Sequence, residues 1–154
     1  MRSTKQSRLS KAQCSRHAPG GDQFSGRRAP YQIQAAILAC HATARDASDT
    51  DWSQIAELYK HLTELAPSPV VELNRAVAVA MTDGPASGLA IVDALIESRS
   101  LPAYHLLPAV RADLLRRLNR LNEAAASYRA ALSLANTDPE RRFLARRLRE
   151  ITAG

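Results

Sequence analysis

The residues that decide the fold are 112–131, ADLLRRLNRLNEAAASYRAA. Two helical faces meet in this stretch with a stop between them. Ala112 and Leu115 lie one turn apart on a single apolar side. Asn119 tolerates a left-handed backbone and predicts the end of the first helix. Asn122 then caps a second helix, in which Ala124, Tyr128, Ala131, Leu132 and Ala135 share a face. Small residues at 112, 124 and 131 let two helix backbones approach closely, and the single large ring at 128 fills the seam between them.

The same grammar extends in both directions from this stretch. Tyr31 to about Thr43 reads as a helix opened by Pro30. Asp46 to Thr50 is a polar loop. Asp51 caps the next helix, with Gln54 three residues on. Ile55, Leu58, Tyr59, Leu62 and Leu65 mark its buried face, and Ala66-Pro67 ends it. Ser68-Pro69 is a cap followed by proline. The run from Val70 to Met81 is almost wholly apolar, which predicts burial on most sides. Asp83-Gly84-Pro85 is a turn, followed by a helix over about 85–98. A fifth helix is expected from Pro102 to Leu118, kinked at Pro108. Asp138-Pro139 opens a seventh, with Leu144, Leu148 and Ile151 at i, i+4 and i+7. No stretch alternates as a strand would, so the chain is all-α.

These helices repeat. Tyr59, Val92 and Tyr128 hold equivalent places, 33 and 36 residues apart, and Leu62, Leu95 and Ala131 each follow three residues later. Ala76 and Ala112 permit close packing within the second and third pairs. Residues 112–131 resemble a tetratricopeptide (TPR) unit, without the tryptophan and glycine of that repeat's first helix. The resemblance implies a right-handed solenoid of about three helix pairs, because no pair buries its apolar face alone. The seventh helix is then the cap, with Arg141, Arg142, Arg146, Arg147 and Arg149 on a solvated outer face.

Charge divides the chain differently. The 154 residues carry 21 Lys+Arg against 15 Asp+Glu, a net +6. Residues 1–29 hold seven of the basic residues and one acid, so the whole excess lies there and residues 30–154 balance at 14 of each sign. A basic patch on the folded part therefore does not follow from the overall charge. Residues 1–29 have Met1, Leu9 and Phe24 as their only large apolar residues, and Pro19-Gly20-Gly21 breaks any helix, so a disordered basic tail is expected. Apolar residues are 45% of the sequence, but no run approaches the roughly 20 residues of a membrane span. Two cysteines, Cys14 and Cys40, are too few for a disulfide framework, and a reduced cytoplasmic protein is the default.

Longer strings carry a second resemblance. They are Tyr31-Gln-Ile-Gln-Ala-Ala-Ile37, Asp49-Thr-Asp-Trp52, Ser68-Pro-Val-Val-Glu-Leu-Asn-Arg-Ala-Val-Ala-Val79, Asp83-Gly-Pro85, Tyr104-His105, Arg111-Ala-Asp-Leu-Leu115 and Glu140-Arg-Arg-Phe-Leu144. In this order they resemble the TPR-like C-terminal extension of a group of extracytoplasmic-function (ECF) RNA polymerase sigma factors, over residues 30–151. Generic TPR repeats lack the string at 68–79. The resemblance implies a regulatory role in transcription initiation, with sigma regions or core RNA polymerase as protein partner. In the family two DNA-binding sigma regions precede the extension. Here 29 low-complexity residues precede it, so promoter recognition by this chain alone is not expected, nor is sequence-specific DNA binding. The competing reading is a free-standing TPR-like adaptor unconnected with transcription.

The residues offer little catalytic chemistry. There is no Gly-rich phosphate loop, no paired histidine on a helix face and no serine-nucleophile motif. His17, His41, His61 and His105 stand apart in sequence. Cys14 and His17 are spaced as half of a zinc site whose second half is missing. Cys40 and His41 are adjacent, and adjacent helical residues do not face each other. No enzyme, cofactor or metal is expected. The candidate binding residues are polar. Asn74 and Arg75 lie inside the apolar third helix, where Glu72 or Asp113 is the expected partner of Arg75. Asp113, Arg116 and Arg117 lie on the face begun by Leu106 and Ala109, which a TPR stack turns to its concave side. In the first two pairs that side is expected to offer Ile37, Cys40, Leu73 and Val77.

A chain beginning at Pro30 is expected to keep a helical circular dichroism spectrum and an unchanged melting temperature. A melting point lower by many degrees would show that residues 1–29 pack on the domain.

Overall fold

The computed structural model describes residues 29–43 and 47–154. These residues form seven α-helices: α1 Ala29–Thr43, α2 Trp52–Leu65, α3 Pro69–Thr82, α4 Pro85–Glu97, α5 Leu106–Arg117, α6 Leu121–Leu134 and α7 Asp138–Thr152. A 3-10 turn at Ala47–Asp49 precedes α2, and no strand occurs among the described residues. None of these helices is long and apolar enough to cross a membrane. The expected tail lies outside the described residues, as do Cys14 and His17, apart from Ala29, which is the first residue of α1.

The local signals act largely as their chemistry dictates. The Asp51 carboxylate accepts from the Gln54 backbone N–H at 3.2 Å and starts α2. Pro69 is the first residue of α3. Gly84 takes φ +98°, a conformation open to glycine, and Pro85 begins α4 immediately after it. Asn119 sits at φ +59°. Its N–H bonds to the Arg116 carbonyl at 3.0 Å, and the Arg120 N–H reaches the Leu115 carbonyl at 2.9 Å. Those two bonds are the Schellman closure of α5. Thr137 and Glu140 form a reciprocal capping box before α7.

Two expectations are corrected here. The fifth helix starts at Leu106 rather than Pro102, because residues 98–105 form turns that include Arg99 at φ +51°. Pro108 is therefore the third residue of α5, where its missing N–H has no helical partner to lose, and the predicted kink has no cause. The sixth helix starts at Leu121, so Asn122 lies within its first turn and is no cap. Arg120 precedes the helix and grips Glu123 through two bonds of 2.7 Å.

The chain divides into two compact units, one ending at Ala78 and the other running from Val79 to Gly154. The first unit is built on Ile33, Ala36, Ile37 and Cys40 of α1 with Ile55, Leu58 and Leu62 of α2 and Ala78 of α3. Trp52, Tyr59 and Val71 pack at its edge. Cys40 is buried in this core. The apolar α3 is less enclosed than its composition suggests. Leu73, Ala76, Ala78 and Ala80 are buried, while Asn74 and Met81 are exposed.

In the second unit each helix packs on the next, α4 on α5, α5 on α6 and α6 on α7. Its core gathers Ala112 of α5, Tyr128 and Ala131 of α6, Ala135 immediately after that helix, and Leu144 of α7. Leu148 and Ile151 flank Leu144, as the i, i+4, i+7 spacing predicts. Ala112 and Ala131 are completely covered, and Tyr128 is 2% exposed. Replacing Tyr128 with Ala removes the largest side chain of this core. The expected loss of stability is about 2–5 kcal/mol, read by urea denaturation. A loss below about 0.5 kcal/mol would mean that the ring does not hold the hairpin.

Candidate functional site

The second unit contains an apolar cleft of about 610 Å3. α4, the turn after it, the start of α5 and the outer side of α6 form its walls. Leu95, Ile96, Leu101, Leu107, Pro108 and Leu134 supply most of the apolar surface. Ala126 and Ala130 leave room on the α6 side, since their side chains stop at Cβ. The volume lies in the range of sites that take a drug-sized ligand or a few side chains of a bound segment.

One polar cluster lines this space. Arg111 of α5 donates from Nε to the Asp93 carboxylate of α4 at 2.8 Å and from Nη1 to the Ser127 hydroxyl of α6 at 2.9 Å. Ser127 is 5% exposed, so its hydroxyl depends on this partner. Three helices are tied by one guanidinium. At the rim, Glu97 and Arg99 are exposed.

The five residues expected to bind lie elsewhere. Asn74 is exposed on α3. Arg75 is bidentate to Glu72, with Nε to Oε2 at 3.0 Å and Nη2 to Oε1 at 2.6 Å. That hydrogen-bonded carboxylate raises the Arg75 pKa despite partial burial. Glu72 is therefore the partner of Arg75, within a single helix. Asp113 and Arg116 pair on α5 through a 2.6 Å bond. The Asp113 carboxylate, above all, raises the Arg116 pKa against the opposing effect of burial, and the nearby Tyr128 side chain adds to it. Burial raises the Tyr128 pKa, with the Asp113 charge adding. Arg117 reaches the Ala80 carbonyl at 3.4 Å. The groove expected along the first helices of the pairs is not open at Ile37, Cys40 and Leu73, which are 2–4% exposed and belong to the core. Leu106 is 41% exposed, so an accessible stretch of that face exists on α5.

The three described histidines have separate surroundings. His41 meets Trp52 edge-on at 5.4 Å, His61 lies 3.7 Å from Glu64, and His105 lies 3.5 Å from Glu140. Among the described residues no three His, Cys, Asp or Glu gather where a metal ion could sit.

The Asp93–Arg111–Ser127 clamp is absent from the sequence reading. Its members are 18 and 16 residues apart on three helices, and no local pattern links them. The one available signal was an arginine beside Ala112, close to the apolar side of its helix.

The chain is 43% identical over 127 residues to an uncharacterized protein of Rhizobium meliloti (strain 1021). The match covers 82% of this chain and 30% of the relative, so the chain spans under a third of that protein's length. No family model and no solved structure matches.

Arg111→Ala is expected to cost about 1–3 kcal/mol, because it leaves the Ser127 hydroxyl buried without its partner. Ser127→Ala costs less, since the guanidinium it frees is part-exposed and keeps Asp93. A double-mutant cycle in urea is expected to give a non-additive term of about 0.5 kcal/mol or more. Full additivity would show that the clamp carries no coupling.

Proposed function

We propose that this chain is a regulatory protein-interaction domain of the kind that extends ECF sigma factors. It acts in the cytoplasm on transcription initiation, by holding a segment of the sigma regions or of core RNA polymerase. In this reading its helices are the pairs of a TPR-like solenoid, and no cofactor takes part.

The observation that carries the reading is the apolar cleft among α4, α5 and α6. A partner helix or extended segment gains affinity by placing apolar side chains in such a space, and the charged groups at the edge set its orientation. Ile96, 40% exposed, offers a first apolar contact at the wall. The resemblance strings support the same reading by their positions. Ser68–Val79 spans the entry to α3 and most of its length, and Arg111–Leu115 is the segment of α5 that bears the clamp and Asp113. The Rhizobium meliloti relative, more than three times as long as the matched stretch, suits a module that works beside other domains.

Asp113 and Arg116 remain the charged candidates for contact, since both are part-exposed and their ion pair lies along a single helix. A partner's charges can compete for them.

Pull-down with purified sigma regions and with core polymerase tests this proposal. Ala130→Trp fills the cleft from an exposed position and is expected to abolish capture at an unchanged melting temperature. Asp113→Arg with Arg116→Asp is expected to weaken capture about tenfold, roughly 1.4 kcal/mol. Undiminished capture by both stable variants would remove the cleft and the pair from the site. Promoter-specific transcripts from the isolated chain with core enzyme would overturn the reading itself.

A further inference from the structure

The last helix carries a second surface that the cleft does not use. Leu144, Leu148 and Ile151 turn one side of α7 to the core. On the other side Arg142, Arg146 and Arg149 follow one another at i, i+4 and i+7, all exposed. The α-helical rise places these three charges within about 10 Å along the axis, in a stripe about 60° wide. Their neutralisation is incomplete. Glu150 bonds Arg147 at 3.1 Å and lies 4.0 Å from Arg146. Glu140 is occupied by the backbone N–H groups of Asn136 and Thr137. Asp138 lies in the first turn, where it balances the positive end of the helix. Arg142 and Arg149 have no carboxylate partner among the described residues.

Beside the stripe stands Phe143, 46% exposed. The Arg146 and Arg147 guanidinium carbons lie 5.6 and 5.5 Å from its ring centroid. An exposed phenylalanine on a soluble face has an unfavourable contact with water, and here it gives two flexible cations a surface to rest on. Those guanidiniums are thereby partly ordered before any ligand arrives.

We propose that this face of α7 binds nucleic acid through its phosphates, without reading sequence. A duplex strand sets one phosphate every 3.4 Å or so along its axis, so three phosphates fit the length over which Arg142, Arg146 and Arg149 extend. Arginine suits this task by its forked donors, and the stripe has no acidic residue between its three members. The inference is independent of the protein partner proposed above, since it rests on a different helix.

The test compares two pairs of charge-matched variants in the full chain, so that any binding by residues 1–29 is common to all. A labelled 20-base oligothymidine and a labelled 20-base-pair duplex serve as probes, titrated from about 50 to 200 mM salt. Each phosphate contact contributes roughly 0.7 to 0.9 to the slope of log affinity against log salt. Arg142→Gln with Arg149→Gln is expected to flatten that slope by about 1.4–1.8. Lys60→Gln with Arg129→Gln removes the same charge from exposed positions off the stripe and is expected to leave the slope unchanged. Phe143→Ala is expected to weaken binding several-fold at constant charge. Equal effects of the two pairs would show that net charge alone attracts the probe and would overturn the site. So would binding of polyglutamate, in place of either oligonucleotide, that depends on Arg142 and Arg149.

Discussion

The second unit depends on burying one phenol. Tyr128 is the largest of its fully covered side chains, and the positions around it are small: Ala112, Ala131 and Ala135. Larger residues there would hold the helices apart, and a smaller residue at 128 would leave a void. On the facing helix Arg116 pairs with Asp113 at 2.6 Å.

A similar logic explains why the cleft stays open. Arg111 anchors α4, α5 and α6 at one level by meeting Asp93 and Ser127. Outside that anchor, α6 presents Ala126 and Ala130, too short to reach the facing leucines. Collapse of the walls would have to strain the clamp, whose buried hydroxyl has a single protein donor. Polar bonding at one end and small side chains at the other keep apolar surface accessible.

The features legible in the sequence are those fixed by neighbours along the chain. The seven helices, the Asp51 cap, the Gly84 turn and the Asn119 stop all follow from residues within one or two turns. The small-and-aromatic seam was also legible, because its members recur at a helical period. The start of α5 was not: Pro102 resembles a helix opener, and what excludes it is the turn held by residues 98–105. The cap of α6 was misplaced for a related reason, since Arg120 can bond Glu123 while Asn122 enters the helix. The site was least legible. Polar residues in apolar helices looked like anchors for a ligand, yet Arg75 is satisfied by Glu72 three residues back on the same helix, and Ile37, Cys40 and Leu73 belong to the core. The cleft joins residues from four segments, and only tertiary packing brings them together.

The arginines of the second unit sort by what they do for the fold. Arg111, Arg116 and Arg120 are bound to carboxylates on or beside their own helices, and Arg117 and Arg141 to carbonyl groups. These charges stabilise or position structure, and their fields are largely cancelled nearby. Arg142 and Arg149 do neither. Keeping unpaired charges close on one helix face has a repulsive cost, small in water but not offset by anything they contribute to packing. Phe143 adds a further cost by exposing its ring. A helix with one side on the core needs a polar outer face, which glutamate and lysine in alternation would provide at less repulsion. The concentration of arginine about one aromatic ring is therefore better explained by an anionic partner than by solvation. Because the cleft lies among α4, α5 and α6 while this ridge lies on α7, a protein segment and an anionic strand need not compete for the same side chains.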